Sequence, residues 1–342
     1  MESISIDEQI SRPEAGRPHL VILGAGASVA AMPSGDRNGR RLPVMANLVA
    51  TLGLDSLLRE AGIVFQGANF EELYSDLCVS GRNVELLAQI ESEVSAYFGG
   101  LALPDEPTLY DYLVLSLREK DVIATFNWDP FLFQACQRNY GRAPLPHILY
   151  LHGNVAMGYC ERDRIKGPIE GHCMKCDQPL TPSKLLFPMT EKDYAADTLI
   201  RGEWTDFERA LESAYLLTIF GYGAPVTDAR AVKAMKSAWN RSGARELEEI
   251  EIIDIKPDAD LYSTWSPFIV GSHYRIRNSF CNSMLARWPR RSCEAIWNQF
   301  MMLRISKTYP APQGISLHEL QVWHAPLMQS EGGAQQSAAP GV

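Results

Sequence analysis

The sequence predicts an α/β fold, a doubly wound and mostly parallel sheet with helices on both faces. Three observations predict it. Short apolar runs alternate with segments of helical periodicity. Turns rich in glycine or polar residues follow most of those runs. No internal repeat or long linker interrupts the succession, so the body reads as one compact unit with insertions.

The runs come first. His19–Leu23, Val122–Thr125, His147–Leu151, Tyr215–Phe220 and Ile250–Ile255 are continuous enough to be strands buried on both faces. Helical patterns fall between them, near Val44–Leu52, Phe70–Leu77, Val84–Phe98, Pro130–Asn139, Trp204–Glu212 and Thr227–Asn240. Strand and helix in alternation give parallel pairing, because the helix carries the chain back to the start of the next strand. Residues 1–17 are polar and read as a loose start. From about residue 326 the chain turns to Gly, Ala, Ser and Gln and reads as a disordered tail, leaving residues 18–325 as the folded domain.

Composition narrows the classes. The chain has 342 residues, 41 acidic and 32 basic, for a net charge of −9, and 46% of it is hydrophobic. A core is therefore available, and an acidic surface disfavours direct, non-specific nucleic-acid binding. The most apolar run, His19 to Met32, is too short to span a bilayer and holds two glycines. The acidic start lacks the positive charge of a secretory signal. Both point to a cytoplasmic protein without membrane attachment. Seven widely spread cysteines read as core residues, metal ligands or reactive thiols rather than a disulfide framework.

In open α/β sheets ligands sit at the carboxyl ends of the strands. Four of the five candidate strands end in residues with chemistry to offer. After the first comes Gly24-Ala25-Gly26-Ala27-Ser28. Glycines there let backbone approach a diphosphate, and a helix amino terminus supplies N–H donors. The same turn without a ligand is the plainer reading. A third glycine of the dinucleotide fingerprint would fall at Val29, so the cradle is of another type. The second strand ends in Asn127-Trp128-Asp129. Two residues apart, the amide and carboxylate face one way and suit ribose hydroxyls or a bound water. Asp129 also suits the start of the helix at Pro130. The third ends in His152-Gly153, an imidazole exposed at the crevice and able to titrate near neutrality, or a structural histidine. The fourth ends in Gly221-Tyr222-Gly223, with Asp228 shortly after.

A loop between the third and fourth strands carries Cys160, Cys173 and Cys176, the last two in C-x-x-C spacing. Asp163 stands at the matching spacing from Cys160, and His172 is nearby; either fits as a fourth zinc ligand. Trp288-Pro289-Arg290-Arg291 is a basic cluster that reads as a solvated face or a phosphate contact.

Taken in order, G-A-G-x-S, T-x-N-x-D, H-G and a later glycine turn resemble the sirtuin family over most of the domain. The resemblance implies a dinucleotide-binding sheet plus a small module. That module comprises a helical insertion, here about residues 53–103, and a zinc ribbon, here about 156–182. It implies NAD as the nucleotide and structural zinc held by Cys160, Cys173, Cys176 and Asp163. It assigns Gly24, Ala25, Gly26, Ser28, Gly221, Tyr222, Gly223 and Asp228 to the nucleotide. Lys256, after the last strand, falls where the family contacts the adenosine side. Asn127, Asp129 and His152 become the catalytic set. The sirtuin segment G-I-P-D-F-R is replaced by Met32-Pro33-Ser34-Gly35-Asp36-Arg37, and Phe126 stands where the family has Gln. The pattern is most similar to bacterial sirtuin-like NAD hydrolases of antiphage systems such as Thoeris and the Argonaute-linked sets. It implies hydrolysis of the nicotinamide–ribose bond, switched on by a partner protein or by self-assembly. Protein deacylation and non-catalytic nucleotide sensing are the alternatives.

Overall fold

The structure is a computed structural model of the whole chain. It describes all residues except 1, 14–15, 66, 68, 82, 189–196, 226–227, 242–247, 270 and 332–342. Its centre is a six-stranded sheet: β1 (His19–Leu23), β2 (Val122–Thr125), β3 (His147–Tyr150), β4 (Leu216–Phe220), β5 (Glu249–Ile253) and β6 (Tyr274–Arg277). The spatial order is β6-β5-β4-β1-β2-β3 and every pairing is parallel. This is the doubly wound dinucleotide-binding order, whose direction of winding reverses between β1 and β4. The α/β expectation holds.

Why these residues form strands is plain from burial. Leu20 to Leu23 and Leu216 to Phe220 are covered on both faces. One face of β1 (Val21, Leu23) joins a core with the helical insertion; the other (Leu20, Ile22) meets the helices at Thr198–Ser213 and Ala229–Trp239. The register sets Leu23 beside both Thr125 and Phe220, and Thr125 beside Tyr150. The strands therefore end level, and the residues that follow them emerge along one rim.

The expected insertion is helical, with helices at Asp55–Glu60, Phe70–Ser80 and Val84–Gly99. Leu86, Ile90, Val94 and Phe98 make its buried stripe at helical spacing. The ribbon is a three-stranded antiparallel sheet of Met157–Cys160, Ile165–Pro168 and Thr181–Pro182.

Four expectations are corrected. β6 was not anticipated, because Tyr-Arg-Ile-Arg is no apolar run; Arg275 pairs instead with Glu249 of β5. The start is not loose: Ser3–Ile4 pairs with Ile305–Ser306, and a helix covers Ile6–Ser11. No tail begins at residue 326. A helix runs from Leu317 to Gln329, and Glu331 bridges the guanidinium groups of Arg290 and Arg291 at 2.6 Å each. Those two arginines, read as a solvated face or phosphate contact, are fully buried. Residues 332–342 lie outside the described residues.

Candidate active site and candidate metal centre

The site forms where β1 and β4 part. Gly24 N–H donates to Phe220 O, and Gly26 N–H to Gly221 O, both at 3.0 Å. The glycines are needed for this close approach. A Cβ on Gly24 would stand 2.5 Å from Gly221 O, and one on Gly26 2.8 Å from Gly221 Cα. Gly221 has φ +62°, and its Cβ would meet Ala27 N at 2.2 Å. The plainer reading of the turn thus accounts for these glycines: they let two strand-end loops touch. With Ala27 N–H donating to Gly24 O, much of the anticipated row of N–H donors is used inside the protein.

Ser28 also differs from expectation. It is buried in the helix Ala25–Ala31. Its Oγ lies 2.6 Å from Asp129 Oδ2, 2.6 Å from the Tyr110 hydroxyl and 3.0 Å from Asn127 Nδ2. A hydroxyl has one proton and two lone pairs. All three are taken, so this side chain is not left for a diphosphate. It is instead the hub joining the two strand-end residues picked from the sequence.

Asn127 is oriented by that hub. Its Nδ2 donates to Gly24 O at 2.9 Å and to Ser28 Oγ. A carbonyl acceptor fixes which end of the amide is nitrogen. Oδ1 is thereby turned to the other side, as an acceptor with no protein donor among the described residues. Asp129 faces the same hydroxyl, as its spacing required. Its Oδ1 also accepts from Phe131 N–H at 3.3 Å, at the start of the helix Phe131–Asn139, so site and cap coincide. Burial pushes its carboxyl up from 3.8 to about 6, against the hydrogen bonds from Ser28 and Phe131. Asn154, not anticipated as a site residue, donates to Asp129 O at 2.7 Å and ties the β2 and β3 ends together.

His152 is buried rather than exposed, with 5% of its surface accessible. Its Nε2 is 3.8 Å from Asp228 Oδ1. Asp228 in turn accepts from the Tyr222 hydroxyl at 3.0 Å. Phe126 stacks on Tyr222 at 4.1 Å and meets the His152 ring edge-on at 4.8 Å. The apolar ring at 126 therefore holds the histidine and the β4 turn together. Gly153, at φ +76°, lets Lys184 O approach so closely that a Cβ would stand 1.9 Å away. Lys256 is exposed; its Nζ would be 3.2 Å from a Cβ on Gly223, at the rim beside the β4 turn.

Nothing in the local sequence marks Tyr110, buried in the helix Leu109–Leu115. Only its position against Ser28 marks it.

In the ribbon, one donor atom each from Cys160, Asp163, Cys173 and Cys176 lies within 4.8 Å of the others. Cys160 and Cys176 Sγ are 3.6 Å apart, and Asp163 Oδ2 is 3.6 Å from Cys160 Sγ and 3.3 Å from Cys173 Sγ. Tetrahedral zinc with sulfur at about 2.3 Å sets ligands about 3.8 Å apart. The two halves are alike. Arg164 N–H closes on Cys160 O and Asp177 N–H on Cys173 O, each at 2.8 Å, and Arg164 and Asp177 share a left-handed φ of 55° and 57°. Asp163 thus occupies the place that Cys176 has in the second half. His172 stands outside the cluster, bridging to Pro179. The donor set fits zinc, and the ribbon's own core is only Cys160, Cys173 and Leu180 with fringe contacts.

No family model and no curated protein matches the chain. Among solved structures it is similar to a Sir2 homologue mutant in complex with ADP-ribose, at 13% identity and TM-score 0.41, over 98% of this chain and 100% of that one. It is also similar to a Sir2 homologue in complex with NAD, at 15% and 0.40, over 86% and 93%. A Sir2 enzyme studied for mechanism and regulation gives 17% and 0.42, over 86% and 98%.

Proposed function

We propose that the protein is a sirtuin-like NAD glycohydrolase, releasing nicotinamide and leaving ADP-ribose. One observation carries the reading. Asn127, Asp129 and Ser28 converge in a buried network where β1 and β4 part, with His152 at the neighbouring strand end. Cleavage of an N-glycosidic bond needs little acid help when the leaving group departs neutral. It needs the flattened, cationic ribose to be held and water to be directed to the anomeric carbon. Asn127 Oδ1 is the acceptor for a ribose hydroxyl or that water. Asp129, when ionised, adds negative charge behind the amide. His152, with Asp228 on its Nε2 side, takes the proton. NAD lies across the β1/β4 crevice, with Gly223 and Lys256 at its rim.

Zinc belongs to the ribbon and acts there by closing a loop with little core of its own. Water is the better acceptor than an acyl-lysine because Phe126 sets an apolar ring, stacked on Tyr222, where the sirtuin pattern has the amide of Gln. The reaction depletes NAD in the cytoplasm as an antiphage effector, triggered by a partner protein or by self-assembly.

The test is product analysis by mass spectrometry with NAD, with and without acetyl-lysine peptide. Nicotinamide and ADP-ribose without peptide are expected. Asn127→Ala and His152→Ala should each lower turnover at least about a hundredfold in protein that still folds, with a melt lowered by the loss of their buried contacts. Peptide-dependent release with acetyl-ADP-ribose would replace this reading by deacylation. Nucleotide binding without turnover would leave a sensing module.

A further inference from the structure

We propose that Tyr110 is a positioning residue of this site, its hydroxyl setting the direction of the hydrogen bonds that fix Ser28 and Asn127; the inference rests on the NAD-cleaving reading. The proton count gives the direction. An ionised Asp129 can only accept, so Ser28 must donate to it. Asn127 Nδ2 donates to Ser28. The one remaining lone pair on Ser28 Oγ therefore receives the Tyr110 proton, across 2.6 Å. The result is a one-way chain: Tyr110 O–H to Ser28 O–H to Asp129 carboxylate. Without the phenol, Ser28 keeps Asp129 and Asn127 but loses its third partner, and the hydroxyl that is the second acceptor of Asn127 Nδ2, beside Gly24 O, is less firmly placed.

The tyrosine is held for this task. Its neighbour Asp111 accepts from Thr108 N–H at 2.7 Å and Thr108 Oγ1 at 2.9 Å, capping the helix that carries Tyr110. Asp111 also pairs with Arg138 and accepts from Asn139 Nδ2 at 3.0 Å, both on the helix that starts after Asp129. One carboxylate thus locks the Tyr110 helix to the Asp129 helix. The Tyr110 ring is buried and tilted against Phe131, 6.4 Å between centroids. A buried phenol needs a partner, and Ser28 is the nearest; Asn127 Nδ2, at 3.4 Å, is the other.

The titratable groups facing Asp129 are Tyr110 and Tyr150. Burial pushes both phenols far up, so both stay neutral through the working range. Loss of the Tyr110 donor weakens the hydrogen bond that Ser28 gives the carboxylate. Asp129 then holds its proton to higher pH.

Two readouts on the full chain test this. In thermal unfolding, Tyr110→Phe should lower the melt of the parent but have little effect in Ser28→Ala, a coupling expected of groups in one network. Equal losses in both backgrounds overturn the proposal. In nicotinamide release from NAD, Tyr110→Phe should lower kcat about tenfold, the size of one hydrogen bond to a charge-linked chain. KM for NAD should stay within about twofold, and the acid limb of the pH profile should move to higher pH. An active parent whose kcat and acid limb are untouched by Tyr110→Phe also overturns it. Should the parent and Asn127→Ala release nicotinamide alike, the NAD reading fails by itself, and the unfolding cycle alone then decides the network.

Discussion

Ser28 Oγ and Asp129 Oδ2 lie 2.6 Å apart although 101 residues separate them in sequence. The contact joins the first turn after β1 to the end of β2, and it makes Asp129 a buried carboxylate with a single side-chain donor of its own.

That burial has a pH signature. The folded-state value, about 6, lies above the ordinary 3.8. The stability it contributes is therefore full below pH 3.8 and is lost as pH rises through about 6. The loss amounts to about 3 kcal/mol. Denaturant titrations of the parent and Asp129→Asn at pH 4 and pH 7.5 should show the parent losing about that much relative to the variant. Glu251, raised by burial to about 7, titrates in the same window in both proteins and cancels in the difference.

Gly221→Ala should be among the most damaging small substitutions in the chain. It combines a left-handed φ with a Cβ set against Ala27 N, and a loss of at least about 3 kcal/mol is expected from strain and overpacking. Gly53 has a similar φ, +69°, but open space around it. Gly53→Ala should cost only about 1 kcal/mol. Urea denaturation of the pair separates the close approach from the backbone angle.

The ribbon should carry about one zinc per chain by elemental analysis. Asp163→Ala and Cys176→Ser should lose it, Asp163→Cys should keep it, and His172→Ala should keep it too. Zinc retained in Asp163→Ala but lost in His172→Ala would reverse the choice of fourth ligand.

Glu331→Ala should destabilise the protein by about 3–5 kcal/mol, because it leaves two buried guanidinium groups without their carboxylate. Arg290 and Arg291 keep only carbonyls and the Ser330 hydroxyl. Chemical denaturation measures the loss. An effect under about 0.5 kcal/mol would show that water replaces the carboxylate at low cost.

Strands buried on both faces are legible from local sequence, whatever their neighbours. His19–Leu23 and Tyr215–Phe220 are mostly apolar because helices cover both their faces, and that shows without knowing which helices. Local sequence also determined that Asn127, Asp129 and His152 follow strands, and that Cys160, Asp163, Cys173 and Cys176 repeat one spacing. Tertiary structure alone decided the rest. Tyr274–Arg277 is a strand because β5 offers Glu249 to Arg275, a pairing that exists only once the two lie side by side. Gly24 and Gly26 also serve a contact with Gly221 nearly two hundred residues away, which no single turn makes legible. Ser28 points inward, and Tyr110 belongs to the site, because a hydroxyl's partners are set by what surrounds it in space. Local sequence fixes backbone period and turn chemistry; the direction of a buried hydrogen bond depends on atoms that only the folded chain brings within 3 Å.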